Sequence, residues 1–119
     1  MSAAQPTAVG HHDLCWGCGQ LNPFGLHLDL TPAGDGVEGR FFVKQDLQGP
    51  DGLLHDGVLA GALHEALLAA GPVAAVELSF AERAPVGTFV RVEAGAAEAL
   101  ARREEDGAVL ARARRRTDG

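Results

Sequence analysis

The sequence of 119 residues contains no isoleucine and no tyrosine, one methionine and one tryptophan. Alanine supplies 21 of the 55 apolar residues, so much of the apolar surface is only methyl-sized. A chain of this length is expected to form one domain, and it buries only about 65% of the surface of its unfolded state. We therefore expect a thin core that a second subunit helps to cover.

Other classes of protein are disfavoured by what the sequence lacks. No apolar run approaches the roughly 20 residues that cross a membrane, and the first ten residues do not form a secretory signal. We therefore expect a cytoplasmic protein in which Cys15 and Cys18 remain thiols. The net charge of −6 argues against a broad basic surface for nucleic acid.

The first half of the chain contains a tail and two strand patterns. Residues 1–13 have no hydrophobic period and predict a flexible arm, followed by a single domain over residues 14–117. Leu26, Leu28 and Leu30 alternate with polar residues and predict a strand over residues 25–31. After turn residues 33–36, residues 37–43 read as its hairpin partner.

One helix is predicted over residues 57–70. Its apolar positions recur at steps of three and four, which places them on one face: Leu59, Ala62, Leu63, Ala66 and Ala70. Asp56 is the predicted N-cap, and Gly71-Pro72 ends the helix. The opposite face includes His64 and Glu65.

Three more strands are predicted over residues 73–83, 88–104 and 108–116. Turn residues 85–87 and 105–107 separate them, and the second turn contains the Asp-Gly pair that is typical of hairpins. The order is strand, strand, helix, then three strands. One helix packed against an antiparallel sheet is an α+β architecture.

Five short motifs resemble a known family. They are CWGCG at residues 15–19 followed by NPFGL at 22–26, LHDGV at 54–58, VELS at 76–79, APVGT at 84–88 and the hairpin DGAVLA at 106–111. In this order they resemble the hotdog-fold acyl-CoA thioesterases of the phenylacetate-pathway type, which open with CFGCG and NPxGL and carry HGG at the central helix. The resemblance runs from about residue 15 to residue 113. It implies a five- to six-stranded antiparallel sheet wrapped around one central helix.

The resemblance also implies partners and a place for the chemistry. It implies a homodimer, or a homotetramer built from it, that binds an acyl-CoA or acyl-carrier-protein thioester at the dimer interface without a cofactor. The Gly57 N–H would polarise the thioester carbonyl at the positive end of the helix dipole, and His55 would position the turn. Asp56 replaces the middle glycine of the motif and brings a carboxylate beside the substrate.

A general base is expected nine positions after the histidine of the motif. In this sequence His64 occupies that position and Glu65 follows it, where the family has a carboxylate. Either side chain can remove a proton from water. The resemblance therefore implies thioester hydrolysis with Gly57 as electrophile and His64 or Glu65 as base.

An arginine-rich segment, residues 112–116, lies near the C-terminus. Guanidinium groups suit phosphate, so Arg112 and Arg114 are candidate contacts to the substrate phosphates. The alternative is a charged end of an edge strand that discourages aggregation.

A second cluster combines metal-binding residue types: His11, His12, Cys15 and Cys18. Nitrogen and sulfur ligands suit tetrahedral zinc. Their spacing within one short segment is cramped, and the resembled family carries these cysteines without a required metal. We therefore expect no metal and read the two thiols as packing groups, with zinc as the alternative.

Two further functions stay open. Asp56 and His64 depart from the motif at the two positions where chemistry would concentrate, which favours a non-catalytic acyl-thioester-binding or structural homodimer as the alternative to hydrolysis. A hotdog dehydratase or hydratase is the third possibility, since one fold hosts both chemistries. Such enzymes resemble a pattern of Asp, Asn-Pro and His on the loop before the helix, and this sequence has Asp51 and His55 with no Asn-Pro between them.

Overall fold

The computed structural model describes residues 12–116, in which one α-helix packs against a six-stranded antiparallel sheet. Helix α1 spans Asp56–Ala70. The strands are β1 (Thr31–Ala33), β2 (Gly36–Phe42), β3 (Ala75–Phe80), β4 (Phe89–Ala94), β5 (Glu98–Arg103) and β6 (Val109–Arg116). They are arranged in the order β1-β2-β4-β5-β6-β3, and α1 contacts β2, β4, β5 and β6. The predicted α+β architecture is confirmed.

The two predicted hairpin turns are present. Gly34 lies between β1 and β2 with a φ of 58°, and Gly107 lies between β5 and β6 with a φ of 74°. Glycine adopts this left-handed conformation without steric cost. At the second turn Arg103 donates to the carboxylate of Asp106, and this hydrogen bond lowers the pKa of Asp106 to about 2.

The prediction of one strand over residues 88–104 is wrong. β4 ends at Ala94, β5 starts at Glu98, and the two strands pair with each other antiparallel. The turn between them is closed by the Gly95 N–H, which donates to the Glu98 carbonyl at 3.0 Å. Its remaining residues are two alanines, which carry no turn signature, so composition alone did not reveal the break.

The prediction of a strand over residues 25–31 is also wrong, although the burial it implied is correct. Leu26, Leu28 and Leu30 are at most 2% exposed, yet residues 26–30 carry no regular ladder and β1 begins at Thr31. The segment crosses β2 so closely that a Cβ on Gly39 would lie 2.3 Å from the Asp29 carbonyl oxygen. The alternation of apolar and polar residues therefore predicted correctly which side chains are buried, but not how the backbone pairs.

The core contains many small side chains, as the composition predicts. Eight of the buried core residues are alanines: Ala62, Ala66, Ala84, Ala94, Ala99, Ala101, Ala111 and Ala113. Those of β5 and β6 face α1, so the helix can lie close to the centre of the sheet. Leu59, Leu63 and Leu67 complete the inner face of the helix.

Two further features lie at the periphery of the fold. Arg115 covers the C-terminal end of α1, because its guanidinium donates to the carbonyls of Leu67 at 2.9 Å and of Pro72. β3 is an edge strand that pairs with β6 on one side. Its side chains Leu78 and Phe80 are 39% and 44% exposed, which is unusual for large apolar groups.

In residues 12–116, no helix is long and apolar enough to cross a membrane.

Candidate functional site

The start of α1, formed by His55, Asp56 and Gly57 and called here the helix entry, is the first candidate site. The preceding loop fixes its backbone, since the Leu54 N–H donates to Ala84 and the His55 N–H donates to Leu47. The N-cap is His55, whose Nδ1 accepts a hydrogen bond from the Gly57 N–H at 2.7 Å. The prediction of Asp56 as the N-cap is therefore wrong, because Asp56 is the first residue of the helix itself.

The cap occupies the Gly57 N–H, which the sequence motif implies as the donor to a substrate carbonyl. In the structure the Gly57 N–H points at the imidazole of His55, not at solvent. Both residues are exposed, so a ligand can approach them from outside. A substrate carbonyl that uses this donor must displace the imidazole as its acceptor. Gly57 suits the cap, since a Cβ there would lie 2.9 Å from Nδ1 of His55.

Arg83 is a residue of the site that sequence reasoning missed. Its guanidinium lies 3.5 Å from the Asp56 carboxylate, so the negative charge beside the helix entry has a nearby counter-ion. Asp56 and Arg83 line a shallow surface pocket of about 270 Å³ together with residues 80–82, which continue from the end of β3. The pair joins residues 27 positions apart, and no local pattern could have revealed it.

His64 lies on the exposed side of α1. It follows Gly57 by seven residues, which places the two on nearly the same face and about 10 Å apart along the axis. The predicted donor and the predicted base therefore share one surface of the helix but are separated by two turns.

Glu65 has a different environment from its neighbour. Its side chain is half-buried under the N-terminal loop (residues 12–25), where Oε1 lies 4.0 Å from Sγ of Cys15. Gly17 of that loop passes so close that a Cβ there would lie 2.3 Å from Cγ of Glu65. Cys18, which is buried, belongs to the same cluster. The structure thus separates the two candidate bases, with His64 facing outward and Glu65 facing the thiols.

The structure does not bring His12 of the predicted zinc cluster together with the two thiols. His11 lies outside the described residues. His12 is exposed, and its Nδ1 accepts a hydrogen bond from the Leu14 N–H at 3.2 Å. The group of potential ligands that the structure brings together is Cys15, Cys18 and Glu65.

The two candidate phosphate contacts lie away from the helix entry. Ala111 and Ala113 of β6 are buried toward α1, so the alternating Arg112 and Arg114 occupy the opposite, exposed face of the sheet. Arg112 lies 3.6 Å from the Glu98 carboxylate across the strand pair. Contact of Arg112 or Arg114 with substrate phosphates stays a prediction.

Solved structures of the thioesterase superfamily share this architecture. One thioesterase superfamily protein matches with a TM-score of 0.73 at 19% identity, over 85% of this chain and 58% of that protein. The E. coli PaaI protein from the phenylacetic acid degradation operon matches with a TM-score of 0.62 at 13% identity, over 74% of this chain and 79% of its own. Zebrafish thioesterase superfamily member 2 matches with a TM-score of 0.54 at 19% identity, over 74% and 78%. No protein-family model and no curated protein matches the sequence.

These similarities define the fold of the chain. The sheet wrapped around one central helix is the hotdog fold, so the fold that the sequence motifs implied is confirmed. At identities of 13–19% the likeness extends to the architecture, and the chain spans little more than half of the first of these proteins.

Proposed function

We propose that this protein hydrolyses an acyl-CoA or acyl-carrier-protein thioester at a site formed between two protomers. The observation that carries the proposal is the exposed helix entry, with the Gly57 N–H at the positive end of α1, in a fold shared with thioesterase superfamily proteins. Such a donor suits the carbonyl of a thioester, because negative charge develops on that oxygen during attack.

The carbonyl oxygen takes the place of the His55 imidazole on the Gly57 N–H. The donor and the helix dipole then stabilise the oxyanion, and one such donor contributes about 3–4 kcal/mol in well-studied hydrolases. The Asp56 carboxylate would oppose this effect if it were unpaired. Its ion pair with Arg83 offsets that charge and leaves a guanidinium beside the pocket, where it can contact the substrate.

His64 is the proposed general base, with Glu65 as the alternative. The imidazole of His64 is exposed to incoming water, whereas the Glu65 carboxylate faces the thiols of the N-terminal loop. His64 removes a proton from water as the water oxygen attacks the thioester carbon. The carbon–sulfur bond then breaks, and the imidazole returns the proton to the leaving sulfur, so that a carboxylic acid and a free thiol are formed.

A second copy of the chain completes the proposed site. Gly57 and His64 of one protomer are about 10 Å apart along α1, and an antiparallel partner helix would bring the His64 of one chain toward the Gly57 of the other. Among the exposed large apolar side chains, we assign this contact to Leu68 on α1 and to Leu78 and Phe80 on the β3 edge. Their burial in a homodimer would also thicken the alanine-rich core.

Release of free thiol from a panel of acyl-CoA and acyl-carrier thioesters tests the proposal. The wild-type chain should hydrolyse at least one of them, and His64→Ala should lower kcat by about 100-fold or more, the range of general base catalysis. Glu65→Gln is the matched control from the next helix position and should retain most of the activity. The double variant should be inactive.

Two outcomes would contradict the proposal in different ways. Absence of thiol release across an aliphatic and aromatic panel would exclude hydrolysis. Loss of activity in Glu65→Gln with full activity in His64→Ala would assign the base to Glu65 and overturn the role given to His64.

The second candidate is a non-catalytic homodimer that binds an acyl thioester. It is favoured by the 2.7 Å hydrogen bond that engages the Gly57 N–H with His55. If this bond persists in the complex, the carbonyl is not polarised. Saturable binding of an acyl-CoA by calorimetry, without thiol release, would identify this function.

A further inference from the structure

A cluster of two thiols and a carboxylate lies beneath the N-terminal loop, outside the helix entry. Sγ of Cys15, Sγ of Cys18 and a carboxylate oxygen of Glu65 all lie within 4.8 Å of one another. Cys18 is buried, and the other two residues are half-buried. The carboxylate comes from the middle of α1, about 50 residues further along the chain, so the cluster is a product of the tertiary fold.

The loop backbone holds the two thiols on one side. Residues 15–19 fold back so that the Gly19 N–H donates to the Cys15 carbonyl at 2.8 Å, and the Leu21 N–H donates to Asp13 at 2.9 Å. Only glycine fits at position 19, since a Cβ there would lie 2.4 Å from the Asp13 oxygen and from the Cys15 nitrogen. The short C-x₂-C spacing is typical of the paired ligands of zinc sites.

A second glycine brings the loop down onto the helix. A Cβ on Gly17 would lie 2.3 Å from Cγ of Glu65, so any side chain there would push the loop and the carboxylate apart. Trp16 covers the adjacent turn of α1, where a Cβ on Gly61 would lie 3.2 Å from its ring. The close approach of the loop at Gly17 and the packing of Trp16 on α1 therefore keep the Glu65 carboxylate next to the thiols.

The chemistry of these three groups favours a thiophilic divalent cation. Metal binding releases the protons of the two thiols to solvent, and the two thiolates and the carboxylate then provide three anionic ligands for a divalent cation. Sulfur donors select zinc over magnesium and calcium, which prefer oxygen ligands. Tetrahedral zinc, with zinc–sulfur bonds of about 2.3 Å, places two sulfurs about 3.8 Å apart. Sulfur atoms that lie within 4.8 Å of each other need to approach by at most about 1 Å to reach that geometry.

We propose that Cys15, Cys18 and Glu65 bind a zinc ion that fastens the N-terminal loop to the middle of α1. Three protein ligands leave a fourth tetrahedral position for water. This site goes beyond thioester hydrolysis and does not depend on it. It also gives Glu65 a structural task, which agrees with His64 as the proposed base.

Metal titration of the full chain tests the site without any substrate. Protein treated with a chelator and kept reduced with a phosphine should bind one equivalent of Zn²⁺ per chain in competition with a chromophoric chelator. Co²⁺ should give a thiolate-to-cobalt charge-transfer band. Because even outer-shell changes cost 10–100-fold in metal affinity, Cys15→Ser and Cys18→Ser should each weaken Zn²⁺ binding by at least about 100-fold, and Glu65→Gln by at least about 10-fold.

The matched control is His64→Ala, which changes the residue next to Glu65 and should bind Zn²⁺ as the wild type does. Thermal unfolding gives an independent readout: removal of Zn²⁺ should lower the Tm of the wild type but not that of Cys15→Ser/Cys18→Ser. Absence of stoichiometric binding by the reduced wild-type chain would overturn the site. So would binding that survives the double cysteine variant or is unchanged in Glu65→Gln. None of these results depends on thiol release from a thioester.

Discussion

His55 connects the stability of α1 to its proposed chemistry at the scale of one residue. The imidazole accepts the hydrogen bond of the Gly57 N–H, one of the backbone donors that the first turn of a helix leaves without an intrahelical acceptor. In the free protein this contact stabilises the helix start. In the proposed reaction the same N–H is needed by the substrate, so one backbone group serves two acceptors in turn.

The cap should be measurable by substitution. His55→Ala removes the acceptor of the Gly57 N–H and should lower the free energy of unfolding by about 1 kcal/mol, as the loss of an N-cap does. His64→Ala, an exposed imidazole in the middle of the same helix, is the matched control and should change it by less than about 0.5 kcal/mol. Urea unfolding followed by circular dichroism measures both. Equal losses in the two variants would show that His55 does not act as a cap.

At the scale of elements, the position of residues 26–30 depends on one glycine of β2. The segment carries three buried leucines across the strand, and its backbone at Asp29 meets β2 at Gly39. The same segment leads directly from the N-terminal loop into β1. Close passage at Gly39 therefore helps to position both the sheet edge and the loop that covers Glu65.

Gly39→Ala should displace this segment. The new Cβ would lie 2.3 Å from the Asp29 carbonyl oxygen, a backbone atom that cannot rotate away, and overpacking of this kind typically costs about 1–3 kcal/mol. Gly95→Ala is the control, since a Cβ there has no heavy atom within 4 Å, and it should leave stability within about 0.5 kcal/mol of the wild type. Urea unfolding measures the free energy of unfolding of both variants. Wild-type stability in Gly39→Ala would contradict the tight crossing.

At the scale of the whole molecule, the distribution of apolar surface supports the proposed homodimer. The interior is built largely from alanine and leucine, while the edge strand β3 leaves large apolar side chains in solvent. An unpaired strand edge is a template for pairing with another chain. Edge-to-edge association through β3 would extend the sheet and cover Leu78 and Phe80.

We expect the purified chain to form a dimer of twice 12.3 kDa or a tetramer built from it. Leu78→Glu/Phe80→Glu should yield monomers, because burying two carboxylates at the joint is costly. Leu21→Glu changes a side chain that is 67% exposed on the N-terminal loop and should not alter the mass. Size-exclusion chromatography with light scattering measures all three. A monomeric wild type, or an oligomer that survives the double variant, would refute association through β3.

The sequence predicted what short-range patterns encode. Apolar residues that recur every three or four positions located the start of α1 to within one residue. The turns at Gly34 and Gly107 were recognisable because glycine tolerates positive φ. Five motifs in order identified the hotdog fold. The break between β4 and β5 was missed because two of its three residues are alanines, which fit a strand as well as a turn.

The sequence by itself determined the helix and the glycine turns, because each follows from neighbours along the chain, and the resemblance of its motifs to a known family implied the hotdog fold. Only the tertiary structure decided that Glu65 faces Cys15, that Arg83 balances Asp56, and that β3 is an exposed edge. The first two contacts join residues 50 and 27 positions apart. Such contacts depend on how the layers pack, and a local pattern carries no information about which distant side chain will arrive.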